Sequence, residues 1–334
     1  MTEILPFDET GKRYHTYDRY LKETFGTKCV RIPLDAGFSC PNREGGKTGC
    51  TFCSSRGSAS VLCPLPGMNA GEDRLDAAVR AIREQARVQY AVLCEKWGKG
   101  RLPAIPYFQA YTGTYAPPAF LSALYHAALS LYDENGEPIP VVSVAVATRP
   151  DCVGEDVIAV LSSLAEKIPV TVELGLQSVH NKTLEKIRRG HTAECFFDAY
   201  ERLTHAGLPV CVHLINGLPG ENAEDMLESA RRVSRLNPAF VKIHMLHILR
   251  GTALGDNYEK EPFPLLTREE YVDITCRQIE LLPRETVLCR LTGDGYGKDL
   301  LAPDWTRNKR AVLNAFDRWF SENDSVQGIN VKKF

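Results

Sequence analysis

Apolar residues recur along the chain in two alternating rhythms. Short runs with few polar breaks occur at KCVRIPLD (28–35), PAIPYFQAY (103–111), IPVVSVAVATRPD (139–151), PVTVEL (169–174), PVCVHLI (209–215) and AFVKIHML (239–246), and each predicts a strand. Between them lie longer amphipathic stretches. In 71–93, Leu75, Val79, Ile82 and Ala86 fall at helical spacing with charges on the other face. The same reading predicts helices over 117–132, 154–166, 181–189, 193–206 and 221–236. Strand runs that are apolar on both faces suit a parallel sheet covered by helices. Six such strands with helical crossovers predict an α/β fold, a partial (β/α)6 barrel, with a doubly wound sheet as the second choice.

Polar tips follow the strands directly: AGFSC, QAYTGTY, ATRPD, ELGLQSVH, NGLPGE and ILRGT. In β/α barrels the C-terminal rim of the strands carries the chemistry, so these tips are the place to look for function. Residues 1–27 read as an N-terminal lead-in with one short helix, 28–246 as the barrel core, and 247–334 as a C-terminal α/β extension packed on it, with an independent small domain as the alternative. The extension holds a helix near 267–281, a strand near 286–290 and a helix near 305–321.

Composition narrows the picture. Lys and Arg total 40 against 42 Asp and Glu, so the net charge of -2 offers no global attraction to nucleic acid, although a local basic patch is compatible with it. No run of apolar residues is long enough for a membrane span. The first residues lack the basic and apolar regions of a secretory signal. The expected location is the cytoplasm. There the 11 cysteines do not form a disulfide framework, and most read as small buried hydrophobes.

Three cysteines stand apart. Cys40, Cys50 and Cys53 sit in one loop, DAGFSCPNREGGKTGCTFCSSRG (35–57), just after the first strand. Two residues separate Cys50 from Cys53, which suits chelation of one centre, and Gly45, Gly46 and Gly49 let the loop return Cys40 to it. Thiolates select zinc or an iron–sulfur cluster over magnesium or calcium. Structural zinc needs a fourth ligand at short spacing, and neither Cys63 nor His15 is placed for a compact module. Cys29 lies in the first strand and reads as core. A [4Fe-4S] cluster held by three thiolates, with one iron open, is the sharper reading. Structural zinc and ordinary loop cysteines are the others.

The stretch CPNREGGKTGCTFCSSRGSAS resembles the radical S-adenosylmethionine (SAM) superfamily. Nine residues stand between the first two cysteines where the common family motif has three, which is similar to the branch containing the Elongator catalytic subunit and, within it, a YhcC/YtqA-like bacterial family. YFQAYTGTYAP, TRPDC, ELGLQSVHNKTLEKIRRGH, HLINGLPGE and LTGDGYGKDLLAPDW extend the resemblance over nearly the whole chain.

The resemblance implies a radical SAM partial barrel in which Cys40, Cys50 and Cys53 ligate a [4Fe-4S] cluster and SAM binds the open iron. Reductive cleavage of SAM then yields a 5′-deoxyadenosyl radical that abstracts hydrogen from substrate, with flavodoxin or ferredoxin as the expected electron donor. Phe52 is expected beside the adenine. In place of the usual Gly-Gly-Glu, Gln109 and Thr112 would offer polar groups to SAM, and Gly113 a close approach. Glu173 would bind the ribose diol, with Gln177 one turn on; an ion pair with Arg149 is the structural alternative for Glu173. Arg149 would grip a carboxylate, while Asn216 and Gly220 would border the adenine. Arg43, Lys47 and Arg56 would offset cluster charge or form a solvated loop face. No residue is assigned to the steps after hydrogen abstraction.

The same resemblance points to tRNA as partner, and to a wobble-uridine side chain as the group modified. The chain shows neither a second cysteine-rich cluster module nor the acetyltransferase domain of the Elongator subunit. Basic residues mixed with aromatics, as in EKWGKGR (95–101), KIRRGH (186–191) and WTRNKRAVLNAFDRW (305–319), can track a phosphate backbone. A small metabolite or peptide substrate is the second reading, and a non-enzymatic, zinc-stapled RNA-binding protein the third. His213 lies inside a strand and reads as a core residue.

Overall fold

The computed structural model describes residues 11–54, 73–97, 100–109, 111–293 and 297–331. Arg56, Cys63 and Lys99 lie outside the described residues. The six expected strands all form: β1 (Val30–Leu34), β2 (Ala104–Phe108), β3 (Val144–Thr148), β4 (Val170–Gln177), β5 (Val210–Asn216) and β6 (Phe240–Met245). Beyond them come β7 (Ile248–Leu249), β8 (Val287–Arg290) and β9 (Leu300–Ala302). The helices are α1 (Tyr17–Phe25), α2 (Arg74–Lys96), α3 (Pro118–Ala127), α4 (Glu155–Ala165), α5 (Asn181–Lys186), α6 (Ala193–His205), α7 (Ala223–Ser234), α8 (Ala253–Lys260), α9 (Arg268–Leu281) and α10 (Lys309–Glu322).

The main sheet has seven strands in the order β1-β2-β3-β4-β5-β6-β8, and β7 pairs antiparallel with β9 in a separate ribbon. Strands β1 to β4 pair in parallel, as do β5 with β6 and β6 with β8. Strand order follows chain order without reversal. A doubly wound sheet reverses direction at a switch point; successive right-handed crossovers in one direction instead curl the sheet with its helices outside. The sheet is therefore the half-barrel of the first expectation. The strand expected near 286–290 supplies its seventh member. No helix among the described residues is long and apolar enough to cross a membrane.

The chain divides into two compact units. One holds 21–175 and 190–210, the other the described parts of 1–20, 176–189 and 211–334. In the first, β1 to β3 bury Ile32, Leu34, Phe108 and Val146, with Leu121, Leu124 and Tyr125 from α3. The side chain of Asp73 caps α2 by accepting from the Asp76 N–H, satisfying one of the donors that a helix start leaves open. Gln89 of α2 donates to the Pro33 carbonyl at 2.9 Å.

In the second unit, α7 and α9 both begin with capping boxes, Asn222 with Asp225 and Thr267 with Glu270. Tyr271, Phe316 and Phe320 are its largest buried side chains. Gln327 ties the chain ends: its amide donates to the carbonyls of Pro283 (2.6 Å) and Thr286 (2.8 Å), and its oxygen accepts from the His15 N–H at 2.8 Å.

Candidate cluster and cofactor site

The cysteine loop begins where α2 clamps the end of β1. Gln85, 2% exposed, accepts from the Asp35 N–H at 2.8 Å and donates to the Asp35 carbonyl at 2.7 Å. Cys40 then opens a single 3-10 turn, Pro41–Arg43, and the Arg43 N–H donates to the Cys40 carbonyl at 2.8 Å. Gly45, Gly46 and Gly49 have φ of +61°, +82° and +80°, the left-handed region that lets the loop fold back. The Cys53 N–H closes the second turn on the Cys50 carbonyl at 3.0 Å. None of the ten described cysteines forms a disulfide.

Arg43 holds this loop together. Its Nη2 donates to the carbonyls of Cys53 at 3.0 Å and Ser54 at 2.8 Å. A Cβ at position 49 would lie 2.9 Å from its Cγ and Nε, so Gly49 leaves the passage the side chain uses. Arg43 is half-buried and ties the start of the loop to its end, so it is not part of a solvated loop face.

Two residues that the sequence reading passed over complete the setting. Asn42, 7% exposed, points its Nδ2 at Cys50 Sγ from 3.6 Å, an amide donor to a thiol sulfur. Its Oδ1 and Arg149 Nη2 crowd Gly190, where a Cβ would meet them at 2.6 and 3.3 Å. Gly190 also has φ of +78°, so this turn requires glycine twice over. The only sequence signal for Asn42 is its place two residues after Cys40.

Arg149 is 3% exposed and pairs in bidentate fashion with Asp151, at 2.9 and 2.8 Å. Burial alone would lower its pKa. The Asp151 carboxylate, with Cys40 and Cys50 adding to it, more than offsets that and holds the guanidinium charged. Its Nη1 has no hydrogen-bond partner, and the hydroxyls of Thr51 and Thr112 are likewise buried and unpartnered. Orphaned buried polar atoms are rare in native proteins and mark places where a ligand or ion completes the bonding. Three thiols, an amide donor on one of them and orphaned donors in the same unit fit an iron–sulfur cluster with an anionic ligand. Cys152 is another thiol of the same unit. Burial, and then Asp151, push its thiol up to about 12. His15 stands in the other unit, its Nδ1 3.3 Å from the Glu285 carbonyl. Cys29 is buried, 6% exposed, as expected of a core thiol.

Glu173, 2% exposed, lies in the middle of β4 rather than at the strand end that the sequence suggested; it accepts from Arg31 Nη2 at 2.6 Å and from the Tyr107 hydroxyl, and the Arg31 guanidinium lies 3.9 Å over the Tyr107 ring. The alternative of a Glu173–Arg149 pair gives way to these partners, because β1 and β2 bring Arg31 and Tyr107 to the carboxylate while Asp151, two residues on, takes Arg149. Thr112 is fully buried, and its N–H donates to the Ser39 carbonyl at 3.3 Å. Gly113 makes its close approach to β3 itself: its N–H donates to the Ala147 carbonyl at 2.8 Å, and a Cβ would meet that oxygen at the same distance. Phe52 and Gln109 are half-buried, and the Gln109 N–H is 3.5 Å from the Leu34 carbonyl. Tyr111, with φ of +56°, lies under Arg43; burial raises its phenol pKa, with Cys53 and Cys40 among the groups that add to the rise.

The first unit thus holds the three cysteines with Phe52, Gln109, Thr112, Gly113, Arg149 and Glu173, whereas Gln177, Asn216 and Gly220 belong to the second. Gln177 and Gly220 both have positive φ, +75° and +90°. Asn216 is committed within its unit: its amide donates to Thr275 Oγ1 (3.0 Å) and Gln278 Oε1 (2.7 Å), and its oxygen accepts from Gln278 at 3.0 Å. Beside Gly220, Glu221 accepts from the Ser178 hydroxyl, and burial raises its pKa.

Residues 39–233 match the radical SAM superfamily and 238–322 the Radical_SAM C-terminal domain. The chain is 39% identical over 325 residues to the uncharacterized protein YtqA of Bacillus subtilis, covering 97% of this chain and 94% of that one. It is 30% identical over 156 residues to a tRNA uridine(34) acetyltransferase of Methanocaldococcus jannaschii, covering 46% of this chain and 28% of that one. The solved structure of Methanocaldococcus infernus Elp3 with an N-terminal deletion superposes with a TM-score of 0.60 at 18% identity, over 89% of this chain and 63% of that one, and carries the same fold. Loop, sheet and relatives agree: the chain belongs to the radical SAM superfamily, in the branch of YtqA and the Elongator-like proteins, and is an enzyme of the kind that binds a [4Fe-4S] cluster and S-adenosylmethionine.

Proposed function

We propose that this enzyme modifies a uridine side chain of tRNA in the cytoplasm, drawing its electron from a flavodoxin or ferredoxin. The carrying observation is the 156-residue similarity to a tRNA uridine(34) acetyltransferase. The superfamily match over residues 39–233 holds the cysteine loop, Arg149 and Glu173, the part of the chain assigned to the radical chemistry. A bound cluster and SAM would supply the radical chemistry, the hard step that the polypeptide does not perform itself.

The chain's own residues bind and orient. Cys40, Cys50 and Cys53 are the thiolate ligands, and Asn42 donates to the Cys50 sulfur. Arg43 fixes the distance between the ends of the loop through its two carbonyl bonds. Arg149, kept charged by Asp151, offers its unpartnered Nη1 to the SAM carboxylate, and Thr112 its hydroxyl to the amino group. Glu173, held by Arg31 and Tyr107, is assigned to the ribose diol, because a carboxylate can accept from two hydroxyls at once. Phe52, Gln109, Gly113, Gln177, Asn216 and Gly220 are assigned to the remaining SAM contacts. Asn216 would act through its backbone because its amide is bonded to α9.

The deciding experiment compares tRNA nucleosides from cells with and without the gene, followed by reaction of the anaerobically reconstituted enzyme with the tRNA of the deletion strain. A uridine derivative that disappears with the gene and returns in vitro supports the reading. Identical nucleoside profiles sink it in favour of a small metabolite.

A further inference from the structure

Of the three thiols in the loop, Cys50 is the buried one. It is 8% exposed, whereas Cys40 and Cys53 are half-buried. A thiolate sulfur shielded from water has to find its hydrogen bonds in the protein, because a buried charge without them is costly. Asn42 stands where such a bond is made. Its Nδ2 lies 3.6 Å from Cys50 Sγ, and the residue is itself buried.

Two features fix the amide in that orientation. Asn42 is the middle residue of the 3-10 turn Pro41–Arg43, which the Arg43 N–H closes on the Cys40 carbonyl at 2.8 Å. Gly190 leaves room for the other end of the amide: a Cβ there would stand 2.6 Å from Asn42 Oδ1 and 3.3 Å from Arg149 Nη2. The amide oxygen therefore faces a corner that a guanidinium donor shares, and the amide nitrogen faces the sulfur. Reversing the amide would turn its N–H groups toward the cation and its oxygen toward the thiolate. Packing does not explain the residue type either. A leucine of similar branched shape would leave no polar atom to satisfy, and burying an amide is favourable only where its ends are bonded.

We propose that Asn42 tunes the reduction potential of the cluster through the Cys50 sulfur, by stabilising the reduced form. This rests on the reading of Cys50 as a cluster ligand. Reduction adds one electron, taken from the external electron donor, and its negative charge spreads over iron and sulfur. An N–H donor gains more from the more negative sulfur, so it raises the potential; hydrogen bonds to the sulfurs are among the levers by which a protein sets that potential. A neutral amide does so without cancelling a whole charge, as lysine or arginine would. No bond forms or breaks at Asn42, and its protons stay on the nitrogen. It is a positioning residue, acting on the cluster through Cys50.

The full chain is reconstituted anaerobically as wild type, Asn42→Leu and Asn42→Asp. Iron and sulfide are assayed first. The reduced cluster is then followed by electron paramagnetic resonance during a potentiometric titration without SAM. Asn42→Leu keeps the branched shape and removes the donor. At a fixed poise its ratio of reduced to oxidised cluster should fall about tenfold, a midpoint lower by about 59 mV for one electron. Asn42→Asp sets a carboxylate against the sulfur, so its midpoint should fall further. A residue that only packs the loop would alter cluster content or stability and leave the potential of the assembled cluster unmoved. Wild-type midpoints in both variants, or a midpoint above wild type in Asn42→Asp, overturn the proposal. If only one variant assembles a cluster, the direction of its shift decides; if neither does, Asn42 belongs to assembly and the tuning role falls. Cys50→Ala keeps this outcome apart from the ligand reading. A full cluster in that variant removes Cys50 from the ligands, and the proposal with it. A Cys50→Ala protein without cluster, beside unmoved Asn42 midpoints, leaves the ligands standing and Asn42 with a structural role alone.

Discussion

Removing the Cys50 thiol would delete a proposed cluster ligand and the acceptor of Asn42 together. Cys40→Ala, Cys50→Ala and Cys53→Ala should each abolish cluster assembly, while Cys29→Ala and Cys152→Ala keep full iron and sulfide after anaerobic reconstitution. A full cluster in the Cys50 variant would refute the ligand set. At Glu173 the structure adds a rival role, since Arg31 and Tyr107 already occupy part of the carboxylate. Glu173→Gln should retain the cluster and lose about 1.5–3 kcal/mol of SAM affinity, the range for a hydrogen bond to a charged group. Unchanged affinity by isothermal titration assigns the carboxylate to its protein partners alone. At this scale the sequence was legible where chemistry restricts the residue type. Three thiols in one glycine-rich loop announce a soft-metal site. Asn42, Gly190 and the stapling role of Arg43 were not legible, because each depends on which distant atom ends up adjacent, and an asparagine, a glycine or an arginine in a loop is common for other reasons.

Helices and strands read more easily, because burial imposes a period on the sequence while contacts do not. All six expected strands form. Strand β4 runs to Gln177, past the expected end at 174, since Gly175 does not break a strand that is flanked on both sides. Two features escaped the pattern: the ribbon of β7 with β9, whose members of two and three residues are too short to show alternation, and α8, capped by Thr252 after a polar tip. The clamp between α2 and β1 was equally invisible, because Gln85 looks like one more polar residue on an amphipathic helix. Its consequence is testable. Gln85→Leu would leave the Asp35 N–H and carbonyl buried without their partner, at a cost of about 1–3 kcal/mol. Because Asp35 leads into the cysteine loop, cluster occupancy after reconstitution should fall with stability. A Gln85→Leu protein with the wild-type urea midpoint and full iron would show that the clamp is dispensable.

For the whole molecule, the net charge of -2 means that affinity for RNA has to arise from local surface. The structure redraws the patches that the sequence suggested. Arg101 pairs with Asp133, and Arg189 is 7% exposed, so Arg189 presents no cation to an incoming backbone and Arg101 only one already paired. Trp97 does stand out: it is 43% exposed at the end of α2, with Lys28 Nζ 3.4 Å and Lys96 Nζ 5.8 Å from its ring centroid. An exposed indole flanked by two ammonium groups can stack on a base while the lysines meet phosphates. Each lysine–phosphate contact releases about one counterion, so log affinity should fall linearly with log salt. Replacing Lys28 and Lys96 by Gln should make that slope shallower by about two. Trp97→Ala should cost about 1–3 kcal/mol, with the slope retained, since stacking carries no counterion. Filter binding of purified tRNA across a salt series measures both. If the wild-type protein binds no more tightly than about 10⁻⁴ M, the weak end of non-specific association, or if the double variant keeps the full slope, this face does not hold RNA. A uridine substrate would then have to reach the enzyme by another surface.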